Sequence, residues 1–80
     1  MPTVEVRAPE FDDSECKGQL LFWYKAQGDQ VERGESLCEV ETAKAVLTIP
    51  APASGALHQI LVPEGSEVTS FMTLALIQRP

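Results

Sequence analysis

The chain has 80 residues, a formal net charge of −6 and 44% apolar residues. A chain of this length builds one domain with a small core, and its apolar content is too high for a disordered protein. Six Lys and Arg residues scattered among twelve Asp and Glu residues provide no basic patch, which argues against nucleic-acid binding. The sequence has neither an apolar run long enough for a transmembrane helix nor an N-terminal targeting pattern. We therefore expect residues 1–80 to form a single, monomeric domain that acts away from the membrane, in the compartment where it is made.

The first half of the chain predicts short strands separated by turns. Residues 4–8 alternate apolar and charged side chains, as a half-buried strand does, and Pro9 ends the pattern. A polar surface loop follows over 10–17, where the Asp-Asp-Ser-Glu run at 12–15 could cap a helical turn. Residues 19–25 hold the densest aromatic stretch and predict a strand with a bulge or twist, anchored by Leu20 and Trp23. Turn signals at 27–29 and 32–35 flank Val31.

The second half continues the same pattern. Strands are predicted at 36–40, at 46–50 and, after a Pro-Ala-Pro-Ala-Ser-Gly break, at 57–62. A turn at 64–66 leads to Val68 and Phe71, and the last predicted strand covers 73–77. No segment keeps helical periodicity, and many short strands with frequent Gly and Pro indicate an all-β sandwich or barrel.

A shift of 37 residues aligns the chain with itself. The matched positions are those that make turns and core, and they are Gly18 with Gly55, Leu20 with Leu57, Gly28 with Gly65, Val31 with Val68, Leu37 with Leu74, and Val40 with Ile77. Such a repeat predicts two similar halves related by a pseudo-twofold axis. Because neither half can close its own core, we expect a flattened β-barrel or sandwich of two four-stranded sheets.

The segment 41–45, Glu-Thr-Ala-Lys-Ala, lies between two of the predicted strands. None of its residues needs a positive φ, so an ordinary type I turn can join the strands and leave Lys44 at the tip of a β-hairpin. The repeat places this tip at the join of the two halves, at the end of the fold opposite both termini. The loop over 9–17 should reach the same end as Lys44, and it is four residues longer than its counterpart at 50–54.

Groups for independent catalysis are missing from the sequence. His58 is the one histidine, at an alternating polar position of a predicted strand, and with Cys16 and Cys38 it does not make a metal site. Without a signal peptide we expect both thiols to be reduced. An exposed lysine amine is protonated at neutral pH and is a poor nucleophile. If the hairpin tip acts, we expect it to act through a group attached to Lys44.

Four segments together form a recognisable pattern. They are Pro-Glu-Phe-Asp-Asp-Ser at 9–14, Gly-Asp-Gln-Val-Glu-Arg-Gly-Glu-Ser-Leu at 28–37, Val-Glu-Thr-Ala-Lys-Ala at 40–45 and Pro-Ala-Pro-Ala-Ser-Gly at 50–55. In order, these resemble Pro-x-Leu-Gly-Glu-Ser, Gly-Asp-x-Val-x-x-Gly-x-x-Leu, Val-Glu-Thr-Asp-Lys-Ala and Pro-x-x-x-x-Gly of the lipoyl domains of 2-oxo acid dehydrogenase complexes, within the biotinyl/lipoyl carrier family. The resemblance covers nearly the whole chain.

The resemblance implies that Lys44 carries lipoate in amide linkage, as a swinging arm for acyl groups and reducing equivalents. The domain itself would be a non-catalytic carrier, alone or within a dihydrolipoamide acyltransferase. The implied partners are a lipoate ligase or lipoyl transferase, a thiamin-dependent 2-oxo acid decarboxylase, the acyltransferase core and dihydrolipoamide dehydrogenase. The implied compartment is the bacterial cytoplasm, or the mitochondrial matrix in a eukaryote.

Residues around Lys44 are the candidates for recognition by these partners. The set consists of Glu41, Thr42, Ala43, Ala45, Asp12 and Asp13. Small side chains at Ala43 and Ala45 would leave the arm unhindered. Together with Glu39, the three acidic members would form a rim for a basic partner face, or serve only to keep the domain soluble.

The sequence departs from the family pattern at three positions. Ala43 stands where the family usually has Asp, Asp12 stands where it has Gly, and Phe71 stands where it often has Gly. Ala43 bears on recognition by the partner enzymes, and Asp12 bears on the conformation of the loop beside the lysine. We interpret Phe71 as core or surface packing and not as a functional residue.

Two alternatives belong to other functional classes. One is a biotinyl carrier of a carboxylase, whose lysine typically has methionine on both sides, whereas Lys44 has alanine on both sides. The other is an unmodified interaction module with the same fold, in which Lys44 is only a turn residue.

Overall fold

The computed structural model describes residues 2–11 and 17–80, and every regular element in these ranges is a strand. The strands are β1 (Thr3–Arg7), β2 (Lys17–Trp23), β3 (Gln30–Val31), β4 (Ser36–Thr42), β5 (Val46–Pro50), β6 (Gly55–Ile60), β7 (Glu67–Thr69) and β8 (Thr73–Gln78). Neither range contains a helix that is long and apolar enough to cross a membrane. The possible helical turn at 12–15 lies outside the described residues.

The strands form two antiparallel sheets of four, with the orders β1-β8-β6-β3 and β5-β4-β2-β7. The predicted sandwich of two four-stranded sheets is therefore confirmed, and the sheets do not close into a true barrel.

The register of the two sheets confirms the predicted pseudo-twofold relation. Leu20 pairs with Val40 in one sheet, and Leu57 pairs with Ile77 at the equivalent place in the other. Each pairing is followed by a register shift, after Leu20 in β2 and after Leu57 in β6. The bulge predicted in the aromatic strand is thus confirmed, and the repeat carries it into the second half.

The observed strands differ from the predicted ones mainly at their ends. Two short strands, β3 and β7, were predicted only as connecting residues around Val31 and Val68. They form because each pairs at a sheet edge, β3 with β6 and β7 with β2. The strand predicted at 57–62 ends at Ile60, and the N–H groups of Leu61 and Val62 both donate to the carbonyl of Leu74.

One hydrophobic cluster fills the space between the sheets. Leu20, Leu37, Leu57 and Leu74 are fully buried, and they are two of the pairs that the repeat matches. Truncating one buried leucine to alanine costs about 2–5 kcal/mol, against a total of about 4–12 kcal/mol expected for a domain of this size. The two halves therefore have the same residue at these core positions, on which the stability of the fold depends.

The two ends of the sandwich differ in what they present. At one end, called the lysine end, β4 finishes at Thr42 beside Gly18, and Lys17 pairs with Thr69. At the other, called the opposite end, Gln78 pairs with both Thr3 and Ala56. The longest dimension of the molecule is 39 Å. The hairpin after Thr42 therefore lies at the end of the fold opposite Thr3 and Gln78, as predicted.

Two glycines allow a close approach between neighbouring strands. A Cβ atom at Gly55 would lie 2.3 Å from the carbonyl oxygen of Gln78, and one at its repeat partner Gly18 would lie 2.9 Å from that of Glu41. Backbone atoms cannot move aside as a flexible side chain can, so Gly55 is the more restricted position.

We predict that Gly55→Ala lowers the free energy of unfolding by about 1–3 kcal/mol, because the new methyl group must push β6 away from β8. Gly18→Ala is the matched variant in the other sheet and should cost less, because its contacts are longer. Thermal unfolding measures both, with about 4–8 °C expected for each kcal/mol in a domain of this size. Equal melting temperatures for Gly55→Ala and the unchanged chain would contradict the steric argument.

Candidate functional site

The candidate site is the hairpin that joins β4 to β5. Val40 pairs with Leu47 and Glu41 with Val46, so the two strands stay in register to the last residue before the turn. Thr42 closes the hairpin, since its backbone N–H donates to the carbonyl of Ala45 over 2.8 Å. No residue from 42 to 45 has a positive φ, as predicted.

The hydroxyl of Thr42 makes further bonds inside the turn. It donates to the carbonyl oxygen of Ala45 over 3.0 Å, and it accepts from the N–H groups of Ala45 at 3.2 Å and Lys44 at 3.4 Å. These bonds fix the backbone on both sides of Lys44 without touching its side chain. Thr42 is thus a positioning residue for the lysine.

The tip itself is open to solvent. Ala43, Lys44 and Ala45 are all exposed, and Val46 beside them keeps 51% of its surface exposed. Because the neighbours are methyl groups, nothing on the turn covers the lysine side chain. A long group bonded to the amine of Lys44 could therefore move through a wide solid angle.

The three lysines of the chain differ in their surroundings. Lys25 forms an ion pair with Glu35 at 2.9 Å, and Lys17 forms one with Glu67 at 3.6 Å. The hydrogen bond that Lys25 donates to the carboxylate of Glu35 also raises the pKa of Lys25, which disfavours the neutral amine that acylation requires. Lys44 makes no ion pair with any residue of the described ranges. Of the three amines, the one at the hairpin tip is the one held by no described carboxylate.

Two of the four residues of the predicted acidic rim, Glu39 and Glu41, lie in the described ranges. Glu41 is exposed at the lysine end, whereas Glu39 lies further down β4 and accepts a hydrogen bond from the hydroxyl of Tyr24. That bond raises the pKa of Tyr24. Asp12 and Asp13 lie outside the described residues, so their part in the rim stays a prediction.

Other candidate groups have structural explanations. His58 is exposed at the bulge of β6. Within residues 2–11 and 17–80, no three His, Cys, Asp or Glu side chains come together in a way that could hold a metal ion. Cys38 is a buried free thiol, and burial raises its pKa to about 12, so it stays protonated and unreactive at neutral pH. Cys16 lies outside the described residues.

Sequence reasoning missed two features of the lysine end. The role of the Thr42 hydroxyl depends on turn geometry that the residue type alone does not reveal. Phe71, interpreted from the sequence as a packing residue, has a φ of 65° and keeps 58% of its surface exposed. The repeat contained a signal for the positive φ of Phe71, since position 71 aligns with Gly34, which also has a positive φ.

The family model Biotin_lipoyl, described as "Biotin-requiring enzyme", matches residues 4–77. A curated relative from Escherichia coli (strain K12), the dihydrolipoyllysine-residue succinyltransferase component of 2-oxoglutarate dehydrogenase complex, is 38% identical over 78 residues, which are 98% of this chain and 19% of the relative. The mitochondrial counterpart from Homo sapiens is 42% identical over 65 residues, which are 81% of this chain and 14% of the relative. The chain therefore spans less than a fifth of the length of these relatives.

Two solved structures have the same fold. The lipoyl domain of the 2-oxoglutarate dehydrogenase complex from Azotobacter vinelandii is 32% identical with a TM-score of 0.77, covering 96% of this chain and 99% of that one. The urea carboxylase of Kluyveromyces lactis aligns with a TM-score of 0.82 at 24% identity, over 98% of this chain and 6% of that one. The carboxylase, at this identity, shows the fold alone.

We predict that Thr42→Val loosens the hairpin, because valine keeps the shape of threonine but loses the hydroxyl. The amide of Ala45 should exchange with solvent several times faster, and the free energy of unfolding should fall by about 1 kcal/mol. Hydrogen exchange by NMR and thermal unfolding measure the two effects. Thr42→Ser keeps the hydroxyl and should restore protection at Ala45; equal exchange in both variants would show that the hydroxyl does not hold the turn.

Proposed function

The chain belongs to the Biotin_lipoyl family and is a lipoyl domain, and on this premise we propose that Lys44 is its attachment site for lipoate. Residues 1–80 would then act as one carrier unit of a 2-oxo acid dehydrogenase complex. In this role the domain is a carrier, and the enzymes that load and unload it supply the chemistry.

The observation that carries this proposal is the accessibility of the Lys44 amine. It lies at the apex of a two-stranded hairpin, between two alanines, with no described carboxylate beside it. An attaching enzyme needs such access, since the amine must reach an activated carboxyl group and lose a proton to attack it. The amide bond that forms removes the charge of Lys44, and the oxygen of the carboxyl group leaves with its activating group.

The residues present fit a long covalent arm. Thr42 holds the backbone at the base of Lys44, and Ala43 and Ala45 leave the side chain free to turn. Attached lipoate would supply a disulfide that opens when it accepts an acyl group with two electrons, and that closes again by oxidation after the acyl group has passed to an acceptor. The domain's own contribution is to keep the arm's origin fixed and its motion unrestricted, which raises its effective concentration at each partner's active site.

The names of the relatives support a choice of partners. The curated relatives are succinyltransferase components of 2-oxoglutarate dehydrogenase complex, and the chain matches a small part of each. We propose the same substrate class for this chain, with a lipoate ligase or lipoyl transferase to attach the arm. The loading enzyme would be a thiamin-dependent 2-oxoglutarate decarboxylase, the acceptor an acyltransferase core, and the oxidant dihydrolipoamide dehydrogenase. These enzymes operate in the bacterial cytoplasm or the mitochondrial matrix, where we place the chain.

We predict that Lys44→Arg abolishes attachment, because the guanidinium keeps the charge but does not form the amide. The 80-residue chain is co-expressed with a lipoate ligase and its intact mass is measured, with loss of the adduct expected in this variant alone. Lys17→Arg and Lys25→Arg are matched controls that should keep the adduct, and all three variants should melt within about 2 °C of the unchanged chain.

The same measurement distinguishes the alternatives. Parallel co-expression with a biotin ligase gives a different mass increment, and an adduct found only there would favour the biotinyl carrier. No adduct with either ligase would favour an unmodified interaction module and contradict the proposal. An adduct that remains in Lys44→Arg would assign attachment to another lysine.

A further inference from the structure

The turn before β4 and the turn before β8 have the same construction. The first covers 32–35 and the second 69–72, which is the shift of the internal repeat. In the first, Gly34 donates to the carbonyl of Ala51 over 2.9 Å, and Glu35 accepts from the N–H of Ala51 over 2.8 Å. In the second, Phe71 donates to the carbonyl of Ala8 over 3.2 Å, and Met72 accepts from the N–H of Ala8 over 2.9 Å. The two turns thus form a matched pair within one molecule.

The two turns differ in the residue that adopts the left-handed backbone conformation. Gly34 has a φ of 89° and Phe71 a φ of 65°. Glycine adopts this conformation freely, whereas a residue with a Cβ is strained there by roughly 1–2 kcal/mol. Burial offsets the strain at Phe71 only in part, because 58% of its surface stays exposed. Stability of the fold therefore gives no reason for an aromatic residue at this place.

The position of Phe71 gives a reason in terms of function. Its turn begins at Thr69, which pairs with Lys17 at the lysine end, whereas the turn of Gly34 lies at the opposite end. Met72 beside it is also exposed, but the equivalent residue at the opposite end is Glu35, which is ion-paired with Lys25. The lysine end thus presents two adjacent apolar side chains where the matched turn presents a glycine and a charged residue.

Among the described residues of the lysine end, the charges without an ion-pair partner are mostly acidic. Lys17 and Arg7 are each paired with a glutamate, at 3.6 Å and 3.2 Å. Glu10 and Glu41 are exposed and make no ion pair with a described residue. Acylation of Lys44 would remove the remaining free cation among the described residues of this end. A complementary protein surface would have an apolar pocket bordered by Lys or Arg side chains.

We propose that Phe71, together with Met72, is a docking contact for the 2-oxo acid decarboxylase that loads the arm, through an apolar pocket with a basic rim. This inference rests on the proposed function. Strained residues and exposed aromatic side chains both concentrate where proteins bind partners, and a rigid ring in a pocket is a frequent hot spot.

The decarboxylase is the partner that needs such a contact. In the relatives the matching segment is part of the acyltransferase chain itself. The covalent connection therefore keeps the acyltransferase at high effective concentration near the arm. Reoxidation acts on the dithiol after the acyl group has left, so it requires no choice among acyl carriers. Loading is the step at which a particular 2-oxo acid must be matched to a particular domain, and there docking energy sets specificity.

The test compares the lipoylated 80-residue chain with its Phe71→Gly variant, using purified decarboxylases specific for 2-oxoglutarate, pyruvate and branched-chain 2-oxo acids. With the decarboxylase that loads the unchanged chain fastest, Phe71→Gly should lower kcat/KM about tenfold through a higher KM at nearly unchanged kcat. In calorimetry with the non-lipoylated forms, Phe71→Gly should likewise bind that enzyme about tenfold more weakly than the unchanged chain does. The variant's melting temperature should not fall by more than about 3 °C, because lost strain offsets the lost contacts.

A second variant moves the ring without changing composition. Phe71→Gly combined with Gly34→Phe places the aromatic side chain on the matched turn at the opposite end, where a Cβ has open space. Loading should remain as slow as in Phe71→Gly, and reoxidation by dihydrolipoamide dehydrogenase should be unchanged in both variants. Phe71→Asn, which also tolerates a positive φ, should behave as Phe71→Gly.

The possible failures can be told apart. Equal loading and binding of the unchanged chain and Phe71→Gly would overturn the docking role while leaving the proposed function intact. An equal loss in loading and reoxidation would also overturn it, because the effect would then not be specific to the decarboxylase. If no decarboxylase loads the lipoylated, unchanged chain, the proposed function fails, and this inference fails with it.

Discussion

The mutual burial of the two sheets' inner faces is the constraint on which the rest of the structure depends. Each half supplies one sheet core whose leucines have no other place to be buried, and Leu20, Leu37, Leu57 and Leu74 are fully enclosed only because the halves meet. The pseudo-twofold relation that achieves this also fixes the geometry of the site. In one sheet β4 continues through a hairpin into β5, whereas in the other the equivalent strands β8 and β1 are not joined. Packing of the core therefore places Lys44 far from Thr3 and Gln78.

Function is most visible where the two halves differ. The core and the turn hydrogen bonds repeat closely, which leaves the differences to be explained by something other than folding. A hairpin with a free amine, and Phe71 in place of glycine, are both found at the lysine end. Because each difference has a matched position in the same molecule, its cost can be judged without another structure. The strain at Phe71 is the clearest case, since Gly34 shows what the turn itself requires.

Much of the fold could be predicted from the sequence because the repeat records core and turn positions twice. The two-sheet architecture followed from that repeat, the hairpin followed from the predicted strands on either side of residues 41–45, and the bulge followed from the aromatic stretch at 19–25. The strands β3 and β7 were missed because they have two and three residues and are defined by pairing at a sheet edge, not by local preference. The position of Lys44 in the turn of the hairpin could be predicted from sequence, but the hydroxyl network of Thr42 and the backbone conformation of Phe71 depend on three-dimensional geometry. The roles of Asp12 and Asp13 stay predictions.

Attachment at Lys44 would change the electrostatics of the molecule as well as its reach. Formation of the amide removes one positive charge, which takes the formal net charge from −6 to −7 (−6 minus 1). The lost charge is the one free cation among the described residues of the lysine end, since Lys17 and Arg7 are held by glutamates. The long-range field at that end thus becomes more negative once the arm is in place, and a basic partner surface would be attracted more strongly to the modified carrier than to the unmodified one. Short-range selectivity must then come from contacts that do not depend on charge, and exposed apolar side chains such as Phe71 and Met72 can supply them.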